Sequence, residues 1–396
     1  MKILVINPGF LPNPAVKGGA VENLMDIYLE SKLTKKIKFI VYSRYDKKVD
    51  LLTKKNNNVE YRYIKHKFFI KEQFDRFASI ISDYEIGNNY IQQILKDISD
   101  KEELNSYDYV LVENTYQYVI PLRKFFGNII ILHQHNCMNE KKLKICKKAI
   151  INSLYIFTVS DFVKRKIENI YNNNNTYVLF NGIKLENFKF QYNESLIEKF
   201  KIKKDDFVIC YVGRVVKEKG ILELLEAFQL FSKDKSNVKL IIIGSECFSS
   251  NSDKFVMKCK KIIENLKEKV IFTGFINYNE INKYYSLADV QIVPSIVDDS
   301  CPMAVIEGMS VGLAQIVTNS GGIPEEVSKG NAITISRENL SDNIYKSLNT
   351  LYSDEKLLKK MKLESLNRSK YFSEEKYVLK FIEYLENIKE NKLWKK

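Results

Sequence analysis

Short apolar runs alternate with amphipathic stretches along nearly the whole chain. A compact apolar run bounded by polar or turn residues reads as a strand. Apolar positions recurring at three and four residues read as a helix. In the first half, strands are predicted at Ile3–Ile6, Phe39–Tyr42, Tyr109–Val112, Ile129–Leu132, Tyr155–Val159 and Tyr177–Phe180, with helices near 20–33, 75–98, 138–152 and 161–170. The second half restarts the alternation. Its strands are predicted at Phe207–Val212, Lys239–Ile243, Val270–Phe272, Val290–Val293, Gln315–Val317 and Ala332–Ile335, and its helices near 218–233, 254–266, 278–287, 303–311, 322–328 and 337–352. The polar, aromatic-studded stretch 181–200 reads as a seam between two α/β domains, each with a doubly wound sheet. The charged tail from about 354 reads as helical, with SDEK and SEEK as helix starts.

Composition sharpens this picture in three ways. The 396 residues contain only 15 Gly and 7 Pro, and 13 of these 22 fall in two windows, Pro8–Gly19 and Pro294–Pro324. A chain so sparing with glycine is expected to use it where the backbone bends sharply or approaches a ligand. The six cysteines are widely spaced with no C-x-x-C pair, which argues for reduced thiols in the core rather than a disulfide framework or a zinc site. No run of 18 apolar residues occurs, and the apolar run in MKILVINPGF is too short for a signal-peptide core, so a cytoplasmic protein is expected.

The net charge is +13, with 31 Lys/Arg against 22 Asp/Glu in residues 1–200 and 31 against 27 in the rest. Two readings stand side by side: a Lys-, Asn- and Ile-rich coding bias, or a basic face meeting an acidic partner. Lys141, Lys142, Lys144, Lys147 and Lys148 are interleaved with apolar residues at helical spacing, as on an interfacial helix. Lys35, Lys36 and Lys38 form a second cluster. No nucleic-acid motif accompanies the charge, and none is expected as a partner.

Four segments carry candidate chemistry. In VGRVVKEKG, Arg214 and Lys219 sit at a strand's carboxyl end beside a helix start, an arrangement for a diphosphate or equally a solvated basic turn. In DDSCPMAVIEGMSVG, Pro302 reads as the first helical residue. Glu307 lies inside that apolar helix, where a carboxylate is costly without partners. Asp299 precedes it as either a helix cap or a hydroxyl-binding carboxylate. TNSGGIPEEV reads as a strand-to-helix turn whose free N–H groups could face a phosphate or sugar. His133 and His135 end a strand, and with only His66 besides them no third metal ligand is evident. Gly18-Gly19 opens the first N-terminal helix, but neither a dinucleotide G-x-G-x-x-G nor a Walker A motif occurs.

These pieces, in their order and spacing, resemble the retaining glycosyltransferases of family 4, which have the GT-B fold. The anchors are G-G-A-V-E at 18–22, H-x-H-N at 133–136, V-S-D-F-V-K at 159–164, F-N-G-I at 180–183 and G-R-x4-K-G at 213–220. They continue with I-I-G at 242–244, F-x-G-F at 272–275, A-D-V-x-I-V-P-S at 288–295, the 299/307 carboxylates and S-G-G-I-P-E at 320–325. The resemblance implies two Rossmann-like domains facing across a cleft. Residues 1–185 would form the acceptor-side domain, completed by a C-terminal helix at about 376–396, and residues 186–375 the nucleotide-sugar-binding domain. Arg214 and Lys219 would hold the donor diphosphate in place of a metal, and no cofactor is implied. Asp299 would contact the transferred sugar and Glu307 the ribose. His135, ahead of His133, would lie near the sugar. Gly18, Gly19 and Gly213 would let backbone approach the donor. The amides of Met303 and Ala304 would face phosphate or sugar, and Phe275 would mark where backbone meets the base. Two departures stand out. Asp299 is one methylene shorter than the usual glutamate, and Pro302 replaces a common glycine.

The function implied is transfer of a sugar, with retention, from a nucleotide donor. A UDP-sugar is favoured over GDP-mannose, and the acceptor would be a surface glycan or lipid-linked precursor. The basic N-terminal half would then meet anionic membrane peripherally. The competing readings are a catalytically impaired nucleotide-sugar-binding partner of another transferase and, from charge alone, a nucleic-acid binder.

Overall fold

The computed structural model describes residues 1–52, 56–65, 86–244 and 254–393. His66, Cys247 and the 75–85 part of one predicted helix lie outside them. The chain divides into two units, Met1–Gly182 with Glu374–Lys396, and Ile183–Ser373.

The first unit is built on seven parallel strands: β1 (Lys2–Ile6), β2 (Lys38–Arg44), β3 (Val59–Ile64), β4 (Tyr109–Glu113), β5 (Ile130–Gln134), β6 (Tyr155–Thr158) and β7 (Thr176–Val178). Their order is β3-β2-β1-β4-β5-β6-β7. Ile3 pairs with Phe39 on one side and Tyr109 on the other. The central strands are buried on both faces, which is why they read as unbroken apolar runs rather than alternating ones. Helices α1 (Ala20–Glu30), α2 (Ile86–Asp100), α3 (Val119–Phe126), α4 (Leu143–Asn152) and α5 (Asp161–Ile170) connect them. Ser160 caps α5 through its hydroxyl, which accepts from the Val163 N–H.

The second unit repeats the scheme with six parallel strands: β8 (Phe207–Val212), β9 (Val238–Ile243), β10 (Val270–Gly274), β11 (Val290–Val293), β12 (Ala314–Thr318) and β13 (Ala332–Ile335). The order is β10-β9-β8-β11-β12-β13. Its helices are α6 (Glu194–Lys199), α7 (Ile221–Phe231), α8 (Lys254–Leu266), α9 (Ile281–Tyr285), α10 (Met303–Val311), α11 (Ile323–Glu326), α12 (Leu340–Ser353) and α13 (Glu355–Ser369). The apolar stripe Leu224, Leu225, Phe228 and Phe231 of α7 packs into the core with Ile209 and Leu240 of the sheet.

The last helix, α14 (Glu374–Leu393), belongs to the first unit. Its buried Val378, Phe381, Leu385 and Ile388 join that core. Phe381 stacks on Tyr28 of α1 at 4.9 Å, and the Tyr384 hydroxyl donates to the Val178 carbonyl at 2.8 Å. Of the described cysteines, Cys146, Cys210, Cys259 and Cys301 are buried and Cys137 is half-buried, and all five are free thiols.

Three sequence expectations need correction. β3 was not anticipated: VEYRYI is a half-exposed edge strand whose charges interrupt any apolar run. α3 was missed because it is short and carries Pro121. Pro302 is not the first helical residue. At φ −72°, ψ 116° it is extended and caps α10, which begins at Met303.

Candidate active site

In doubly wound parallel sheets, ligands bind outside the carboxyl ends of the strands where the strand order reverses. That point lies between β8 and β11 in the second unit and between β1 and β4 in the first.

At the β8 end, Gly213 turns the chain and Arg214 follows, exposed and without an ion pair among the described residues. A single 3-10 turn, Lys217–Lys219, leads to Gly220, the N-terminal cap of α7. Lys219 Nζ reaches both oxygens of Asp299, at 2.5 Å to Oδ1 and 2.7 Å to Oδ2. The Ser295 hydroxyl, just past β11, donates to the same carboxylate. The Asp299 backbone is fixed as well, since its carbonyl accepts from the Gly322 N–H at 2.7 Å. Gly321 has φ +57°, and a side chain there would collide with the Asp299 backbone. The TNSGG and DDSCP segments are thereby locked together.

Glu307 lies on α10 in an aromatic pocket. The Tyr285 hydroxyl donates to its Oε2 at 2.8 Å, Tyr278 also hydrogen-bonds it, and Phe188 packs edge-on against both phenols. Burial pushes the Glu307 carboxyl up to about 7, and the two phenol hydrogen bonds oppose that only in part. Once ionised, such a group can accept from a vicinal diol without a further desolvation cost.

In the first unit, the carboxyl ends of β4 and β5 carry a buried acid–imidazole cluster. Glu113 is fully buried. His135 Nε2 lies 2.8 Å from its Oε2, and His133 Nδ1 lies 3.1 Å from the same oxygen. The Tyr28 hydroxyl donates to Oε1 at 2.9 Å. Burial alone would raise the Glu113 pKa, but the histidine interactions outweigh it and hold the carboxyl well below the usual range. Burial, with His133 beside it, pushes His135 down to about 4. A second acid sits nearby in the first turn of α1. Glu22 is buried against Gly19, where any side chain would strike its carboxylate. Burial raises Glu22 to about 7, against the hydrogen bond from Asn7.

Residues 193–368 match the family model described as Glycosyl transferases group 1. The lipopolysaccharide 1,2-N-acetylglucosaminetransferase of Salmonella typhimurium is 28% identical over 338 residues, covering 84% of this chain and 85% of that protein. The capsular polysaccharide biosynthesis glycosyltransferase CapM of Staphylococcus aureus is 42% identical over 106 residues, 25% of this chain and 28% of that one. Among solved structures, Anabaena Alr3699/HepE in complex with UDP and glucose superimposes with a TM-score of 0.74 over 98% of this chain and 100% of that one, at 17% identity.

The chain is a glycosyltransferase. Its two Rossmann-like, parallel-sheet units are the GT-B architecture. Within the glycosyltransferase, Lys219 and Asp299 are in contact, and Gly213 and Arg214 follow the strand that leads into the Lys219 turn. Met303 and Ala304, both half-buried, form the first turn of α10, where backbone N–H groups lack intrahelical acceptors. Phe275 follows β10 and is exposed. Gly18 and Gly19 precede α1, and His135 lies one residue past β5. Sequence reasoning gave no role to Glu22, Tyr28, Glu113, Tyr278, Tyr285 or Ser295. Glu113 carried a usable signal, an acid closing an apolar run, in VLVEN. It also supplies the third group beside His133 and His135 that the sequence did not reveal. The tyrosines carried no signal of their own.

Proposed function

We propose that the enzyme is a retaining transferase of family 4 that moves a sugar from a UDP-sugar to a glycan or lipid-linked acceptor in cell-surface polysaccharide biosynthesis. The observation that carries this reading is the placement of Arg214 and the Lys219–Asp299 pair at the β8–β11 switch point. A cation pair there neutralises a diphosphate leaving group, and a carboxylate beside it accepts from sugar hydroxyls. The anomeric carbon–oxygen bond breaks with its electron pair moving to the diphosphate. The acceptor oxygen attacks on the same face, and its proton passes to the departing phosphate oxygen. Arg214 and Lys219 take the charge-neutralising role, so chelator is expected to leave the rate unchanged. Glu307 accepts from the ribose hydroxyls.

The sugar-transfer activities of the Salmonella and Staphylococcus relatives and the UDP and glucose of the Anabaena complex support the substrate class. The reading extends to peripheral contact with anionic membrane. α4 leaves Leu143 and Ile151 exposed beside exposed Lys144, Lys147 and Lys148. No helix among the described residues is long and apolar enough to cross a membrane.

The test is a thermal-shift screen of nucleotide diphosphates and their sugars, followed by turnover of the best stabilising donor. UDP and one UDP-sugar should raise Tm, and that donor should be hydrolysed or transferred with the anomeric configuration kept. Stabilisation by GDP-mannose alone would replace the donor. Tight UDP binding with no turnover of any UDP-sugar would overturn the enzymatic reading.

A further inference from the structure

The two histidines of H-x-H-N differ in what they offer. His133 is fully buried, with Nδ1 turned to Glu113 and Nε2 sealed without a partner. His135 turns Nε2 to Glu113, and its Nδ1 has no hydrogen-bond partner among the described residues yet is not sealed from solvent. Two consecutive residues at the end of β4 hold His135. Glu113 holds the ring, and the Asn114 side-chain oxygen accepts from the His135 backbone N–H at 3.1 Å. Asn114 is itself fixed, since its N–H donates to the His133 carbonyl at 2.8 Å. Glu113 is anchored from the other side by Tyr28, whose ring stacks on Phe381 in the core.

We propose that Glu113 is a positioning residue that locks His135 in the Nε2–H tautomer, so that Nδ1 is presented as a hydrogen-bond acceptor. A buried carboxylate requires donors, and the only atom His135 can offer it is a protonated Nε2. A neutral ring protonated there carries its lone pair on Nδ1. His135 can then accept from a substrate hydroxyl and cannot donate to a carbonyl or phosphate oxygen. The inference rests on the reading of His135 as a residue of the sugar-transfer site. The orientation itself follows from the carboxylate.

The test uses the full chain labelled with 15N on histidine, with long-range proton–nitrogen spectra of the wild type, Glu113→Gln and Glu113→Asp. Nδ1 of His135 should resonate as an unprotonated nitrogen in the wild type. Glu113→Gln should mix the tautomers and lower kcat at least tenfold while UDP affinity stays within twofold. Glu113→Asp, which keeps the charge, should recover part of both. A wild-type Nδ1–H tautomer would overturn the proposal. So would a folded Glu113→Gln variant with unchanged ring shifts and kcat. The spacing of Glu113, His133 and His135 also suits an ion. One equivalent of added zinc that shifts both rings would make Glu113 a ligand rather than a positioner and would overturn it as well. The wild-type spectrum decides the question even if neither variant folds. It does so whether or not any sugar is transferred, so this inference and the proposed function can fail separately.

Discussion

The two switch points share a topology and differ in electrostatics. In the second unit, between β8 and β11, Arg214 is exposed and Lys219 is only partly shielded by Asp299. In the first, between β1 and β4, Glu113 is sealed and its carboxylate is taken up by two imidazoles and a phenol. On the proposed reading, one site offers accessible charge to an incoming anion, and the other spends its charge on orienting a neutral ring. The same strand order around the switch point therefore does not imply identical work, and the difference lies in a handful of side chains at the strand ends.

The largest expected effect comes from removing what distinguishes the second unit. Arg214→Ala with Lys219→Ala should lower kcat by about 10⁴-fold, since each group that neutralises developing charge contributes roughly 10²–10³ in such sites. Neither residue belongs to a core, so Tm should stay close to that of the wild type. Steady-state transfer or donor hydrolysis, with circular dichroism melts, checks both. Near-wild-type turnover would erase the contrast between the two units.

The contrast also explains what the sequence could convey. Arg214, Lys219, Asp299 and Glu307 were legible because each is a charged residue in a glycine- or proline-marked segment at the edge of an apolar run. Strands buried on both faces likewise announce themselves as apolar runs, as β1 and β9 do. β3 did not, because an edge strand carrying Glu60 and Arg62 breaks the run. The Glu113 cluster was only half legible. Two histidines closing one strand were readable, but their partner comes from a neighbouring strand and Tyr28 from a helix 85 residues before Glu113. The phenols around Glu307 are of the same kind. Long-range partners leave no spacing rule in a single chain, so the cost of burying Glu307 was readable while its remedy was not.

A smaller effect tests whether the Lys219–Asp299 pair restrains the cation. Asp299→Asn removes the charge and keeps the shape. With the pair gone, Lys219 is freed for phosphate, and UDP should bind up to about fivefold tighter, the scale of a partly exposed ion pair. Sugar transfer should nevertheless fall about 10- to 100-fold, because a charged acceptor for sugar hydroxyls is lost. Calorimetry of UDP binding beside kcat separates the two. If UDP binding and kcat weaken together, Asp299 serves mainly to hold Lys219 in place, and the second unit's cations are less open to an anion.

The smallest effect concerns Glu307, whose raised carboxyl is the second unit's counterpart to the depressed Glu113. In the free folded protein, Glu307 keeps its proton up to about pH 7, whereas an unfolded glutamate loses it near 4.5. The folded state therefore binds more protons in that window, and this group's contribution to stability falls as pH rises from about 4.5 to 7. Accepting from ribose hydroxyls favours the ionised form, so donor binding must expel the proton below about pH 7 and weaken accordingly. A UDP-sugar, whose diphosphate diester does not titrate in this range, should bind about tenfold more weakly at pH 6 than at pH 8, the limit of one proton displaced over one pH unit below the pKa. Glu307→Gln should abolish that slope while leaving measurable binding. Calorimetry in two buffers of different ionisation enthalpy would show the proton directly. An equal slope in the Gln variant would assign the titration to another group and remove Glu307 from the nucleotide site.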